Sequence, residues 1–159
     1  MYNESSIMTR KVIVPYVSIG SNIDDIIKNK VSLEIEGKCM TEGYIKPKSV
    51  EIINYSSGKI DGSNVIYVVQ FRCMVFLPAI GMELDCIAKN NTTAGIMSES
   101  NITTEKSPFI LFIVRDYDYS NPLLNEINKG DLFTARVESF RFELNDTEIS
   151  IIGEIINKK

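Results

Sequence analysis

Residues 65–77, VIYVVQFRCMVFL, keep one face apolar without a break: Val65, Tyr67, Val69, Phe71, Cys73, Val75 and Leu77, with Gln70 and Arg72 on the other face. Side chains of a strand point alternately to opposite faces, so this run demands a long strand buried on one side. Pro78 lacks a backbone donor and ends the run, and Gly81 turns the chain. A second alternation follows at once, Met82, Leu84, Cys86 and Ala88 against Glu83, Asp85 and Lys89. The chain is therefore expected to be α+β, divided into units 1–80 and 81–159.

In the first unit, residues 1–8 are polar and expected to fray. Lys11–Val17 is a β-branched run in which Pro15 favours an edge or a bulge. Ile19-Gly20 is a turn, after which Ser21 or Asn22 is placed to cap a helix whose first turn holds Asp24 and Asp25. Ile23, Ile26, Ile27 and Val31 form its apolar stripe. Leu33, Ile35 and Cys39 alternate with Glu34, Glu36 and Lys38, which reads as a strand. Tyr44–Asn54 is a further strand interrupted at Pro47, and Tyr55–Asn64 is a loop carrying Gly58 and Gly62 around the lone apolar Ile60. One helix on a small antiparallel sheet results.

In the second unit, strands are expected at Met82–Lys89, Ala94–Glu99, Phe109–Val114, Leu132–Leu144 and Glu148–Ile155. A helical turn at Leu123–Ile127 lies in the long connection between the third and fourth, and Asn145-Asp146 makes a hairpin turn. Five strands in this plan describe an OB-fold barrel.

The chain has no histidine. That excludes Ser-His-Asp and Cys-His nucleophilic machinery and HExxH metal sites, and with no phosphate-binding loop an enzyme is not expected. Cys39, Cys73 and Cys86 contain no CxxC pair and read as small buried side chains, so neither metal nor cofactor is expected. No apolar run approaches the roughly 18–20 residues that span a membrane, and the first residues lack the form of a secretory signal, so an intracellular protein is expected. Charge is uneven: residues 1–79 carry 9 Lys/Arg and 8 Asp/Glu, residues 80–159 carry 8 and 13. Phosphate contacts dominate nucleic-acid affinity, so RNA contact by the acidic second half is expected to be local and weak.

The segments VIVPYVSIG, Leu33–Cys39 leading to Gly43-Tyr44-Ile45, Gly58-x-Ile60-x-Gly62, and Val69–Phe76-x-Pro78 running into Gly81–Asp85 occur in an order that resembles the larger stalk subunit of multisubunit DNA-directed RNA polymerases. The family includes the larger archaeal stalk protein and its eukaryotic counterpart, the seventh subunit of polymerase II. The resemblance implies an N-terminal truncated RNP-like domain that docks on the polymerase core near the clamp, and a C-terminal OB domain turned toward nascent RNA. A smaller helical stalk partner usually packs along both. A non-catalytic transcription subunit is implied; the alternative is a stand-alone OB-fold RNA-binding or translation-related factor. Isoleucine is the commonest residue, and Asn and Lys are frequent, as in an AT-rich genome, so the expected source is a large DNA virus or an AT-rich protist. The corresponding location is cytoplasm or virion for a virus, nucleus for a cellular eukaryote.

With the resemblance, Ile19, Gly20, Gly58, Ile60 and Gly62 are the candidate docking residues, Ile60 entering a pocket on the polymerase. The residues alone leave open a hairpin loop whose isoleucine covers its own sheet. Arg115, Tyr117 and Tyr119, at a strand end where OB folds meet ligands, and Arg136 on the fourth strand are the candidate RNA contacts, by base stacking and phosphate pairing. Asp116 and Asp118 repel phosphate there. Phe140 and Phe142 read as barrel core or interface, not stacking platforms, on one strand face with Arg136. Family barrels commonly carry an aromatic after the second-strand glycine; here Gly95 is followed by Ile96.

Overall fold

The computed structural model describes residues 3–100, 107–114 and 122–158. Its longest pairing joins β1 (Asn3–Pro15) to β6 (Asn64–Phe76), antiparallel from Asn3↔Phe76 to Pro15↔Asn64 with no register shift. The far side of β6 takes β3 (Gly43–Ile45), β4 (Glu51–Tyr55) and β5 (Lys59–Asp61), and β2 (Cys39–Met40) extends from β3. Val65, Tyr67, Val69, Phe71, Cys73 and Val75 are all buried, and α1 (Ile23–Ile35) lays Ile27, Val31 and Ile35 into the same core. Burying each such side chain contributes about 1.5–3 kcal/mol.

Three expectations for this unit are corrected. The polar N-terminal stretch is not frayed from Asn3 onward, because the β6 ladder supplies backbone partners whatever the side-chain polarity. The strand expected at Leu33–Cys39 is helix as far as Ile35: Ile27, Val31 and Ile35 continue the stripe at intervals of four, and this outweighs the short alternation. Leu77 does not continue the buried face of β6; it is exposed, and Phe76 is buried in its place against the second unit. Asn22 sits at the N-cap of α1 but makes no side-chain capping bond.

The second unit is a closed barrel of β7 (Glu83–Asn91), β8 (Gly95–Ser100), β9 (Phe109–Val114), β10 (Leu132–Arg141) and β11 (Ile149–Lys158). Around the barrel the order is β7-β8-β9-β11-β10; β9 and β11 are parallel and the other pairs antiparallel. This closed five-stranded arrangement fits an OB-like barrel. A short helix, α2 (Leu123–Glu126), buries Leu124 beneath it.

A bulge in β10 changes the reading of that strand. The pairing with β11 shifts between Val137 and Ser139, leaving Glu138 extra. Before it Phe133, Ala135 and Val137 point inward; after it Phe140 and Phe142 pack on the core. One inserted residue exchanges the two faces, so Arg136 is outward, opposite to the phenylalanines whose face it shares by simple alternation.

The units meet through side chains and backbone. Cys39, Tyr44 and Phe76 of the sheet belong to the barrel's buried cluster, where Phe76 meets Phe109 edge-on at 6.5 Å. The Cys39 amide donates to the Asp146 carbonyl (2.7 Å), and the Asn145 amide donates to the Cys39 carbonyl (2.8 Å). On the linker, the Gly81 amide donates to Val137 and the Val137 amide to Met82, both at 2.8 Å.

Candidate docking surface

The end of the sheet remote from the barrel gathers the two turns singled out in the sequence. Strand β1 stops at Pro15 opposite Asn64, and a 3-10 turn, Tyr16–Ser18, follows. The Tyr16 amide donates to the Ser63 carbonyl at 2.9 Å, tying the Tyr16–Gly20 turn to the β5–β6 hairpin. Gly62 closes that hairpin with φ +62, a left-handed value that glycine adopts without steric cost. Gly58 serves differently: a Cβ there would lie 2.4 Å from Val65 Cγ1 and 3.0 Å from the Tyr67 ring, so its backbone is pressed onto β6.

Two contacts hold the base of the loop. Ser56 and Val68 are bonded twice, the Ser56 amide donating to the Val68 carbonyl and the Val68 amide donating to the Ser56 hydroxyl oxygen, each at 2.9 Å. The Tyr55 hydroxyl donates to the Asp24 carboxylate at the start of α1, and its ring meets Tyr67 edge-on at 5.8 Å. The bond to the carboxylate favours the protonated phenol and raises its pKa.

What this end offers is apolar. Ile60 is 69% exposed. Tyr16 is 61% and Val17 92% exposed beside it. Ile19 is half-buried and packs on the unit's own core, while Gly20 is exposed. Behind the tip runs a groove of about 540 Å³ along the outer face of the sheet, with Ile60, Ile66 and Val68 as its apolar lining and Lys11, Lys59 and Asp61 as its charges. Tyr16 and Val17 were missed as candidates because they read as the end of a strand; the signal was Pro15, which sets strand against turn.

Among the RNA candidates, Arg115, Tyr117 and Tyr119 lie outside the described residues. Arg136 sits between two carboxylates in register on neighbouring strands, Glu83 on β7 and Glu154 on β11, with Glu83 at 3.9 Å. That surrounding offsets its charge toward phosphate. Ile96 is fully buried, so the position after the second-strand glycine faces the core; the aromatic near Gly95 on the outer face is Phe112, whose Cζ lies 3.2 Å from where a Gly95 Cβ would stand. Phe112 went unnoticed because residues 109–114 are apolar on both faces and read as core throughout. It is flanked in register by Met97 and Ile152.

All three cysteines are buried. Among the described residues no three His, Cys, Asp or Glu are grouped to hold a metal, and no helix is long and apolar enough to cross a membrane.

No protein-family model matches this chain. Over 167 aligned residues, 99% of this chain and 83% of the other, it is 21% identical to a protein of Acanthamoeba polyphaga mimivirus provisionally named as a subunit of a DNA-directed RNA polymerase. A likeness running the length of the chain supports a relationship to RNA polymerase subunits and is in keeping with a viral origin.

Proposed function

We propose that this protein is a non-catalytic stalk subunit of a multisubunit DNA-dependent RNA polymerase. Residues 1–80, a truncated RNP-like domain, dock on the core near the clamp, and residues 81–159, the OB-like domain, face outward toward the transcript. One observation carries the docking half: two turns 40 residues apart in the chain converge on one end of the sheet, and there Tyr16, Val17 and Ile60 leave apolar surface in water. Exposed apolar patches of this kind mark interaction sites. The end-to-end likeness to a viral protein carrying a polymerase-subunit name supports the identity of the partner.

RNA is the minor ligand in this reading. Arg115, Tyr117, Tyr119 and Arg136 remain the proposed contacts, in a half with five more acidic than basic residues, so binding is weak and falls with salt. Chemistry is left to the core subunits. The test is purification of the tagged chain from its native setting. The large polymerase subunits are expected to be recovered with it in fixed ratio; a clean monomer bound to RNA alone would overturn the reading.

A further inference from the structure

We propose that the free edge of β1 is a strand-addition site, where an extended, carboxylate-bearing segment of the polymerase core pairs backbone to backbone with this chain; the inference rests on the docking reading above.

Strand β1 is last in its sheet, and among the described residues it pairs with β6 alone. Thirteen residues of strand make an edge about 40 Å long. In an antiparallel ladder, alternate residues send N–H and C=O groups away from the partner, so about six donors and six acceptors face outward here. Strands of about 5–6 residues are usual, and long edges are usually interrupted by bulges or prolines that prevent pairing. No register shift interrupts β1, and no proline precedes Pro15 at its end. One of these acceptors, the Thr9 carbonyl, takes the Arg10 guanidinium at 3.0 Å; the rest of the row has no partner among the described residues and has the spacing of another strand.

The side chains say which strand. Ile7 and Ile13 stand on the outer face, 56% and 54% exposed, and Lys11 stands between them, exposed and with no ion pair among the described residues. Arg10, on the inner face, is already engaged by Glu42 at 3.3 Å. Lys11 also borders the outer-face groove with Lys59. The edge therefore fits a segment with apolar residues across from Ile7 and Ile13 and a carboxylate near Lys11. It fits a second copy poorly, since pairing through the middle of β1 brings the two Arg10-Lys11 dipeptides within a few residues of each other.

Hydrogen exchange on peptides from β1, in the free chain and in the purified polymerase, tests this. About half of the β1 amides are expected to exchange at least tenfold more slowly in the assembly. Ile7→Lys with Ile13→Lys should remove that protection and lower recovery of the polymerase. Lys11→Glu, a change at one exposed side chain, should lower recovery as well and serves if the double variant folds poorly. Unchanged β1 exchange in an assembly whose tip residues 56–64 are protected would overturn the edge site and leave the docking reading standing. Failure to recover the polymerase would overturn both. Protection in the purified chain alone, with a dimer in sedimentation, would assign the edge to a second copy and overturn the proposal.

Discussion

Replacing Ile60 with aspartate separates docking from folding. Ile60 is 69% exposed and lies on a three-residue strand with no buried position, so the free protein has little to lose: the change in unfolding free energy should stay within about 0.5 kcal/mol. Docking is another matter. Fully burying an isoleucine is worth about 1.5–3 kcal/mol, and roughly two thirds of that is still available in the free chain. Ile60→Ala should therefore weaken association by about 1–2 kcal/mol, or about 5- to 30-fold. Ile60→Asp loses the same term and strands a carboxylate in an apolar pocket, adding about 2 kcal/mol or more, for a loss of about 100-fold or greater. The assay is a titration of labelled chain against polymerase purified without it, with thermal unfolding of each variant beside it. Leu144→Asp is the control, since Leu144 is 64% exposed but lies on the barrel. Wild-type affinity for a folded Ile60→Asp protein would refute the placement of this loop in the interface. A loss for Leu144→Asp equal to that for Ile60→Asp would show that any added charge at an exposed apolar site suffices.

The two hairpin glycines should respond differently to alanine. Gly58→Ala drives a methyl into Val65 and Tyr67 and should cost about 1–3 kcal/mol in urea unfolding, whereas Gly62→Ala meets nothing within 4 Å and should cost only the left-handed backbone penalty, about 1–2 kcal/mol, with smaller disturbance of Tyr67. The cysteines predict an alkaline limit. Burial pushes Cys39 and Cys73 up to about 11 and Cys86 up to about 12, from 9.0; nearby carboxylates, Asp146 at Cys39 and Asp85 at Cys86, add to it. With folded values raised, their contribution to stability is intact below pH 9 and declines as pH climbs toward the folded values, by at most about 1.4 kcal/mol per pH unit for each thiol. The urea midpoint should therefore fall between pH 8 and pH 10.5, and thiol reagents should label the native protein slowly at pH 8; fast labelling of all three would contradict their burial.

Much of this architecture was legible in the residues, and the failures have physical causes. The alternation of β6 and of β7 was visible because each buries one face and leaves the other in water. The Phe109–Val114 strand was found with its bounds, but its outer face was not distinguished, since an all-apolar run hides which half points inward. The ladder of β1 with β6 lies between residues about sixty apart, and no local pattern in polar residues 3–6 announces it. The end of α1 was misplaced because Leu33, Ile35 and Cys39 satisfy a strand period over too short a window, while Ile35 also completes the helical one. The bulge at Glu138 has no mark in the sequence; only the packing of Phe140 and Phe142 reveals it. At the candidate site, Gly58, Ile60 and Gly62 could be picked out as glycines around a lone apolar residue. The company they keep, Tyr16 and Val17, depends on a hydrogen bond from Tyr16 to Ser63 that sequence spacing does not show.

The bonds between Cys39 and the Asn145-Asp146 turn fasten the barrel to the sheet, and those between Val137 and Gly81-Met82 hold the entry of the chain into the barrel against β10. Beside the covalent link at residues 80–81, the Cys39 bonds and the Phe76–Phe109 contact would have to break for the barrel to swivel on the sheet. The same fastening occupies the turn between β10 and β11, one of the loops with which OB folds grip ligands, so stiffness here is obtained by withdrawing a gripping loop from the outside world.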